Sequence, residues 1–368
     1  MRGVWRAPGR ANLMGEHTDY NGGLVLPFAL SQVTTAAAVR TDGILELRSA
    51  QAPGEEARIA VEDLKPGSVT GWAAYPAGVA WALRTAGYQV PGASISFDSD
   101  VPQGSGLSSS AALEASTALA LRDLGGFSVG RDVLATLCQR AENEFVGAPT
   151  GIMDQSASLR CEAGHALLLD CSTLETTQIP FDPASGGAAA LVVDTRAHHA
   201  HTAGGYGSRR TECETAARQL NVPFLGTITS VAAADKLTDP ILRRRARHVI
   251  SDDNRVRLVV EALTNSRADK SDIYRDIGAL LTEAHISLRD DFEISWPEAN
   301  ATVDAVLAAG GLGARMIGGG FGGSVLALIP VARVDAVRAA VKSAFAASAW
   351  PEPAFFDAIP SAGASRVP

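Results

Sequence analysis

The stretch Pro102-Gln103-Gly104-Ser105-Gly106-Leu107-Ser108-Ser109-Ser110-Ala111-Ala112 follows a strand-like segment, Ala93–Ser99, and opens a helix-like one, about Ser109 to Leu124. In the latter, Leu113, Thr117, Leu121 and Leu124 recur at helical spacing, and Gly125-Gly126 stops the pattern. Glycines let a backbone approach a ligand closely. The helix start adds free N–H groups and the positive end of the helix dipole. Together they suit an anion held mainly by backbone donors, because no Gly-Lys pair of a Walker loop ends the stretch. A capped helix after a tight turn is the plainer reading of the same spacing.

Outward from this loop, Val33–Val39 and Ile44–Arg48 read as strands, and Trp72–Thr85 and Val129–Phe145 as helices. His165–Asp170 and Ala189–Asp194 read as buried strands. The Pro-, Gly-, Ser- and Asp-rich segment Pro180–Gly187 between them marks a domain boundary, giving domains 1–183 and 184–368. The second half carries helices near Gly207–Leu220, Arg243–Leu263, Ile273–Asp290 and Glu298–Ala309, a strand at Ser324–Ile329 and a last helix at Val334–Ala347. The tail Pro360–Pro368 reads as frayed.

At 368 residues, two domains are the natural expectation. A net charge of −8, from 32 basic and 40 acidic side chains, argues against nucleic-acid binding, which needs a basic footprint. Cys138, Cys161, Cys171 and Cys213 form no C-x-x-C pair, which disfavours zinc and fits a reducing compartment. No apolar run reaches the length of a membrane span, and Met1–Pro8 has no signal-peptide stretch. A cytoplasmic protein is expected.

Three further segments bear on chemistry. Gly318-Gly319-Gly320-Phe321-Gly322-Gly323 matches G-x-G-x-x-G, but a strand follows it rather than a helix, so a dinucleotide fold fails on context. Close backbone packing against a loop or ligand is the expected reason for these glycines. Gly9 to Gly23 concentrates Arg10, Asn12, Glu16, His17, Asp19 and Asn21, groups suited to reading sugar hydroxyls. Asp154 sits in a turn framed by Pro149 and Gly151, with Glu142 upstream. His198-His199-Ala200-His201 reads as solvated histidines, and Arg243, Arg244, Arg245 and Arg247 as a solvated helix face.

Taken in their order along the chain, these segments resemble the galactokinases within the GHMP family of small-molecule kinases. Gly9–Tyr20 is similar to the galactokinase signature, Pro102–Ala112 to the family phosphate loop, and Met316–Gly323 to its C-terminal glycine motif. Gly151–Gln155 and Ser287–Ser295 also match. The resemblance implies an N-terminal α/β domain and a C-terminal α+β domain, with the active site in the cleft between them. It implies Asp154 as the base taking the galactose C1 hydroxyl proton and Arg10 as its neighbour. Arg10, Glu16, His17, Asp19, Gly151, Asp154 and Tyr206 would bind the sugar. Gly104, Ser105, Gly106, Leu107, Ser108, Ser109 and Ser110 would cradle ATP phosphates, with Trp72 and Tyr75 beside the adenine. Ser110 and Glu142 would hold Mg²⁺, and Gly318, Gly319, Gly320, Gly322 and Gly323 would form a structural motif. The implied partners are galactose and ATP, with no nucleic acid or membrane, in a monomer or weak homodimer. A kinase for N-acetylgalactosamine or arabinose, or a non-catalytic galactose and ATP sensor, are the alternative readings.

Overall fold

A computed structural model of the protein describes residues 1–198, 202–265 and 269–368. In chain order its strands are β1 (Arg2–Asn12), β2 (Leu24–Val25), β3 (Pro27–Thr41), β4 (Ile44–Ser49), β5 (Ala57–Ala60), β6 (Gly92–Ser99), β7 (His165–Asp170), β8 (Thr176–Pro180), β9 (Ala188–His198), β10 (Gly313–Ile317), β11 (Gly322–Pro330), β12 (Ala354–Asp357) and β13 (Ser365–Val367). The α-helices are α1 (Ala74–Thr85), α2 (Ser109–Gly125), α3 (Arg131–Arg140), α4 (Met153–Arg160), α5 (Thr202–Gln219), α6 (Pro240–Thr264), α7 (Lys270–Asp290), α8 (Pro297–Ala308) and α9 (Val334–Ala347).

The strands form a sheet ordered β13-β1-β3-β6-β4-β5, a second ordered β10-β11-β9-β12, and a small third ordered β2-β7-β8. Helices α1 to α4 contribute to the same buried core as the first sheet, through Trp5, Ile95, Leu83, Leu121, Leu134 and Leu159. A second core joins β9 and β11 to α5, α6, α8 and α9. A third cluster runs between them: Leu13, Met14, Leu26 and Phe28 pack with Val256, Ile277, Leu281, Ile317 and Leu326. The two halves thus share apolar burial directly beside the polar Gly9–Gly23 segment.

Several elements differ from the sequence reading. The polar signature begins as strand, since β1 continues to Asn12. The tail is not frayed: β13 pairs antiparallel with β1, Val4 opposite Val367. The helix expected over Val129–Phe145 is α3 followed by a π-helical turn, Ala141–Val146. The second glycine cluster lies in the β10–β11 hairpin, strand on both sides, as its context required.

Between Pro8 and Arg10 the β1–β3 register shifts. Such a bulge bends a strand and re-aims its side chains. Here it brings Gly9 against the phosphate-type loop, and Arg10 N–H donates to Leu107 O at 3.1 Å. A Cβ on Gly9 would lie 2.6 Å from Leu107 O and 2.8 Å from Val101 Cγ1. Gly9→Ala is therefore expected to lower unfolding stability by about 1–3 kcal/mol, read as a drop in urea midpoint, because backbone and core must move apart.

Candidate active site

Beyond β1 the chain turns through residues 13–23. Gly15 (φ 93°) and His17 (φ 61°) are left-handed. A Cβ at Gly15 would lie 2.5 Å from Leu24 O, so glycine is required there. Side chains brace the loop from within: Asn12 Nδ2 donates to Gly15 O at 3.0 Å, Thr18 Oγ1 to Leu24 O at 2.7 Å, and Asn21 Nδ2 to His17 O at 2.7 Å. Asn12 and Asn21, which the composition suggested as hydroxyl readers, are spent on the loop itself.

The C-terminal half clamps the same loop from outside. Glu16 N–H donates to Asp252 Oδ2 at 2.9 Å, and His248 Nε2 lies 3.1 Å from Glu16 O. Leu24 N–H donates to Asp253 Oδ1 at 2.7 Å. The Glu16 carboxylate pairs with buried Arg315 at 2.7 Å and accepts from Gly318 N–H at 2.9 Å. Burial pushes the Glu16 carboxyl up, against the opposing pull of Arg315 and then Arg10. Sequence reading missed His248, Asp252, Asp253 and Arg315. For His248 and Asp252 the available signal was their i, i+4 spacing on one face of α6; Arg315 lies on β10, where no such spacing marks it.

A cavity of about 300 Å³ opens on this loop. Its walls include Arg10, Glu16, His17, Asp19, Gly104, Gly106–Ser110, Glu142, Gly151, Asp154, Tyr206, Gly318 and Gly319. Asp154, in the first turn of α4, is held by a fork: Arg10 Nε donates to Oδ1 at 2.8 Å and Nη2 to Oδ2 at 2.9 Å. Such bidentate pairing fixes a carboxylate's plane as well as its place. Arg10 Nη1 donates to Gly106 O at 2.6 Å. Burial opposes the Arg10 charge, but Asp154 and then Glu16 outweigh it and raise its pKa. Ser108, at the α2 N-cap with φ 60°, makes no capping bond with its side chain. Its hydroxyl donates to Asp154 Oδ2 at 2.5 Å instead. The sequence placed Ser108 with the phosphates and did not suggest this contact.

Opposite Asp154 stand the other carboxylates. Asp19 is pushed up to about 7 by burial and then by Asp154. A Cβ on Gly151 would lie 1.7 Å from Asp19 Oδ2, so this glycine leaves the space that Asp19 fills. Glu142 is likewise pushed up to about 7 by burial and then Asp154, while Thr150, Ser110 and Gln155 bond to it. Both nitrogens of His17 are engaged, Nδ1 with Tyr20 Oη at 2.7 Å and Nε2 with Gly319 O at 3.2 Å. Burial, then nearby His248, holds it down to about 3, so the ring is neutral. Tyr206 lies 5.0 Å from the His17 ring, centroid to centroid.

A second cavity of about 400 Å³, lined by Gln51, Trp72, Tyr75, Phe97 and Leu113, shares Ser109 and Ser110 with the first. Trp72 Nε1 donates to Glu55 O at 2.9 Å, which fixes its ring. Ser105 is fully buried and its hydroxyl donates to Pro102 O, so its side chain is spent inside the loop. The C-terminal glycines pack backbone on backbone: Cβ atoms at Gly318 and Gly323 would each lie 3.0 Å from carbonyls of Gly106 and Ser105. Gly320 packs against Ile294 instead, and Phe321 N–H donates to Ile294 O at 2.8 Å.

Arg245 departs from the solvated face read for its helix. It is buried, donating to Glu212 and Glu293 at 2.6 Å each and to Asp291 O. His199 and His201 lie outside the described residues. Among the described residues no cluster of three or more His, Cys, Asp or Glu is placed to hold a metal, and no helix is long and apolar enough to cross a membrane. Ser110 and Glu142 instead offer two hard oxygens beside the loop. This set fits Mg²⁺, which commonly takes one or two protein oxygens and completes its shell with phosphate and water.

Residues 1–40 match the galactokinase galactose-binding signature, 74–162 the GHMP kinases N terminal domain, and 269–347 the GHMP kinases C terminal. The chain is 53% identical to a galactokinase of Streptomyces coelicolor, covering 99% of this chain and 94% of that one. It is 43% identical to a galactokinase of Mycobacterium tuberculosis, covering 98% of each. The fold superposes on a Lactococcus lactis galactokinase complexed with galactose with a TM-score of 0.93 at 31% identity, covering 100% of this chain and 95% of that one. A mevalonate kinase shares the fold alone, with a TM-score of 0.70 at 18% identity. Full-length similarity at this level, with the N-terminal signature on the same Arg10–Asp19 segment that walls the cleft, shows that the chain belongs to the galactokinase family of GHMP kinases.

Proposed function

We propose that the chain transfers the terminal phosphoryl group of ATP to the C1 hydroxyl of galactose, giving galactose 1-phosphate and ADP in the cytoplasm. The observation that carries this is a single cavity in which Asp154, forked by Arg10, lies between the polar Glu16–Asp19 loop and the Gly104–Ser110 loop. Domains 1–183 and 184–368 would each furnish part of its wall, the first both loops and the second Tyr206, Gly318 and Gly319.

In this reading the galactose hydroxyls bond to Glu16, Asp19 and Asp154, with Gly151 and Tyr206 completing the wall. His17, engaged at both nitrogens, meets the sugar with its ring. The neighbouring cavity beside Trp72 and Tyr75 takes the adenine, and backbone N–H groups from Gly104 to Ser110 take the phosphates. The C1 oxygen forms a bond to the terminal phosphorus as the bond from that phosphorus to the bridging oxygen breaks, and ADP leaves. Asp154 accepts the hydroxyl proton, held in line by Arg10 and Ser108. Such transfer depends on positioning and charge neutralisation more than on covalent help. A Mg²⁺ ion held by Ser110, Glu142 and phosphate oxygens would neutralise charge on the transferring group.

A coupled ADP assay over galactose, N-acetylgalactosamine and arabinose, with the product's phosphate position read by NMR, tests the assignment. Galactose with phosphate at C1 is the expected result, and excess chelator should abolish turnover. Preferred turnover of another sugar would replace galactose as the substrate. ATP binding with no ADP release would favour the sensor.

Asp154→Asn keeps the side chain's shape but removes the proton acceptor. Its kcat should fall by roughly 10²- to 10⁴-fold, while the variant folds and still binds galactose. Wild-type turnover would remove Asp154 from the chemistry.

Asp19 supplies a pH signature. With its pKa raised to about 7, the free protein holds a proton there that the unfolded chain has released by pH 5. This group's contribution to stability therefore falls as pH rises towards 7. Accepting bonds from sugar hydroxyls favours the ionised form, so galactose binding releases that proton. Calorimetry should show affinity rising by about tenfold from pH 6 to pH 8. Asp19→Asn should flatten that slope.

A further inference from the structure

Behind the Glu142 carboxylate lie two buried side chains to which the mechanism assigns no role, Gln155 and Glu114. Glu142 sits in the π-helical turn Ala141–Val146, a local widening often found at functional sites. Its Oε2 accepts from Gln155 Nε2 at 2.6 Å and from Thr150 Oγ1 at 3.0 Å. Gln155 Nε2 also donates to Glu114 Oε2 at 3.1 Å. Gln155 and Glu114 are each 0% exposed.

The connectivity ties this group to the reacting centre. Glu114 follows Ser110 by one helical turn of α2, so the two share a face. Gln155 directly follows Asp154 in α4. Two donors on one oxygen of Glu142 fix the rotation of its carboxylate. Ser110 also bonds to this carboxylate, and both residues line the cleft.

Stability alone does not explain the arrangement. Glu114 Oε1 and Gln155 Oε1 are buried without hydrogen-bond partners, and burying such oxygens is unfavourable. An apolar pair would fill the space without that cost. What only the polar pair supplies is a directed amide on Glu142.

We propose that Gln155 is a positioning residue: anchored on Glu114 behind it, its amide holds the Glu142 carboxylate in the orientation that receives the divalent ion. This rests on reading Ser110 and Glu142 as the metal donors.

The test is Mn²⁺ affinity of the ADP-bound protein, measured by electron paramagnetic resonance without turnover, beside galactose affinity by calorimetry. Gln155→Asn keeps a buried amide but is one methylene too short to span both carboxylates. It should bind Mn²⁺ roughly 10- to 100-fold more weakly with galactose affinity unchanged. Gln155→Met, which keeps the length and loses the donor, should behave alike. Unchanged Mn²⁺ affinity in either folded variant overturns the proposal. So does equal loss of Mn²⁺ and galactose affinity, or failure of both variants to fold, since each would make the bridge a general stability element. If the wild type with ADP takes up no Mn²⁺, the metal reading itself falls.

Discussion

One guanidinium joins the parts of this site. Arg10 leaves β1 just past its bulge, forks onto Asp154 of α4 and reaches the carbonyl of Gly106 in the phosphate-type loop. Its backbone N–H is spent on Leu107 of that loop. A strand, a glycine turn 96 residues further on and a helix start 144 residues further on are therefore fixed to one planar group. Arginine suits the task because its donors form a rigid fork. A lysine would supply the charge but could not hold the carboxylate plane and the loop carbonyl together.

The rest of the cleft is built to keep that junction from shifting. Glycines let the β10–β11 hairpin lie backbone to backbone on the phosphate-type loop, so that Ser324 Oγ donates to Ser105 O at 2.7 Å. Helix α6 holds both polar groups of the Glu16 backbone, and Arg315 holds its side chain. Fully buried polar groups of this kind stabilise only when their partners are in place. The loop and the C-terminal half therefore specify one another's position. The shared cluster of Met14, Phe28, Val256 and Ile317 supplies the non-directional part of the same union.

Local sequence carried the elements whose cause is local. The loop at Pro102–Ala112, the helix it opens and the strand after Gly323 all follow from glycine, serine and apolar spacing. Elements that owe their form to distant partners were not legible. The tail is a strand because β1 offers it an edge, and nothing within Ser365–Val367 announces that. Asn12 and Asn21 have the chemistry of sugar ligands, but a tight loop needs donors for its own carbonyls first. Arg245 lies in a basic run, and only the fold brings Glu212 and Glu293 to it. Family resemblance gathered the cleft residues that spacing could not, yet it left out the groups behind them, such as Arg315 and Glu114.

Electrostatics explains why those hidden groups matter. Asp19, Glu142 and Asp154 crowd one small cavity, and burial together with mutual repulsion raises the first two. Glu16 at the wall is already compensated by Arg315. Without ligands, Arg10 is the one cation lining the cavity among the described residues, and it is committed to Asp154. The free protein thus holds carboxylates whose ionisation is unfavourable until something offers them donors or positive charge. Under the proposed function, sugar hydroxyls would offer the first at Asp19 and a divalent ion the second at Glu142. Because Asp154 raises both groups, each ligand would then offset the repulsion that this one carboxylate exerts on a different neighbour.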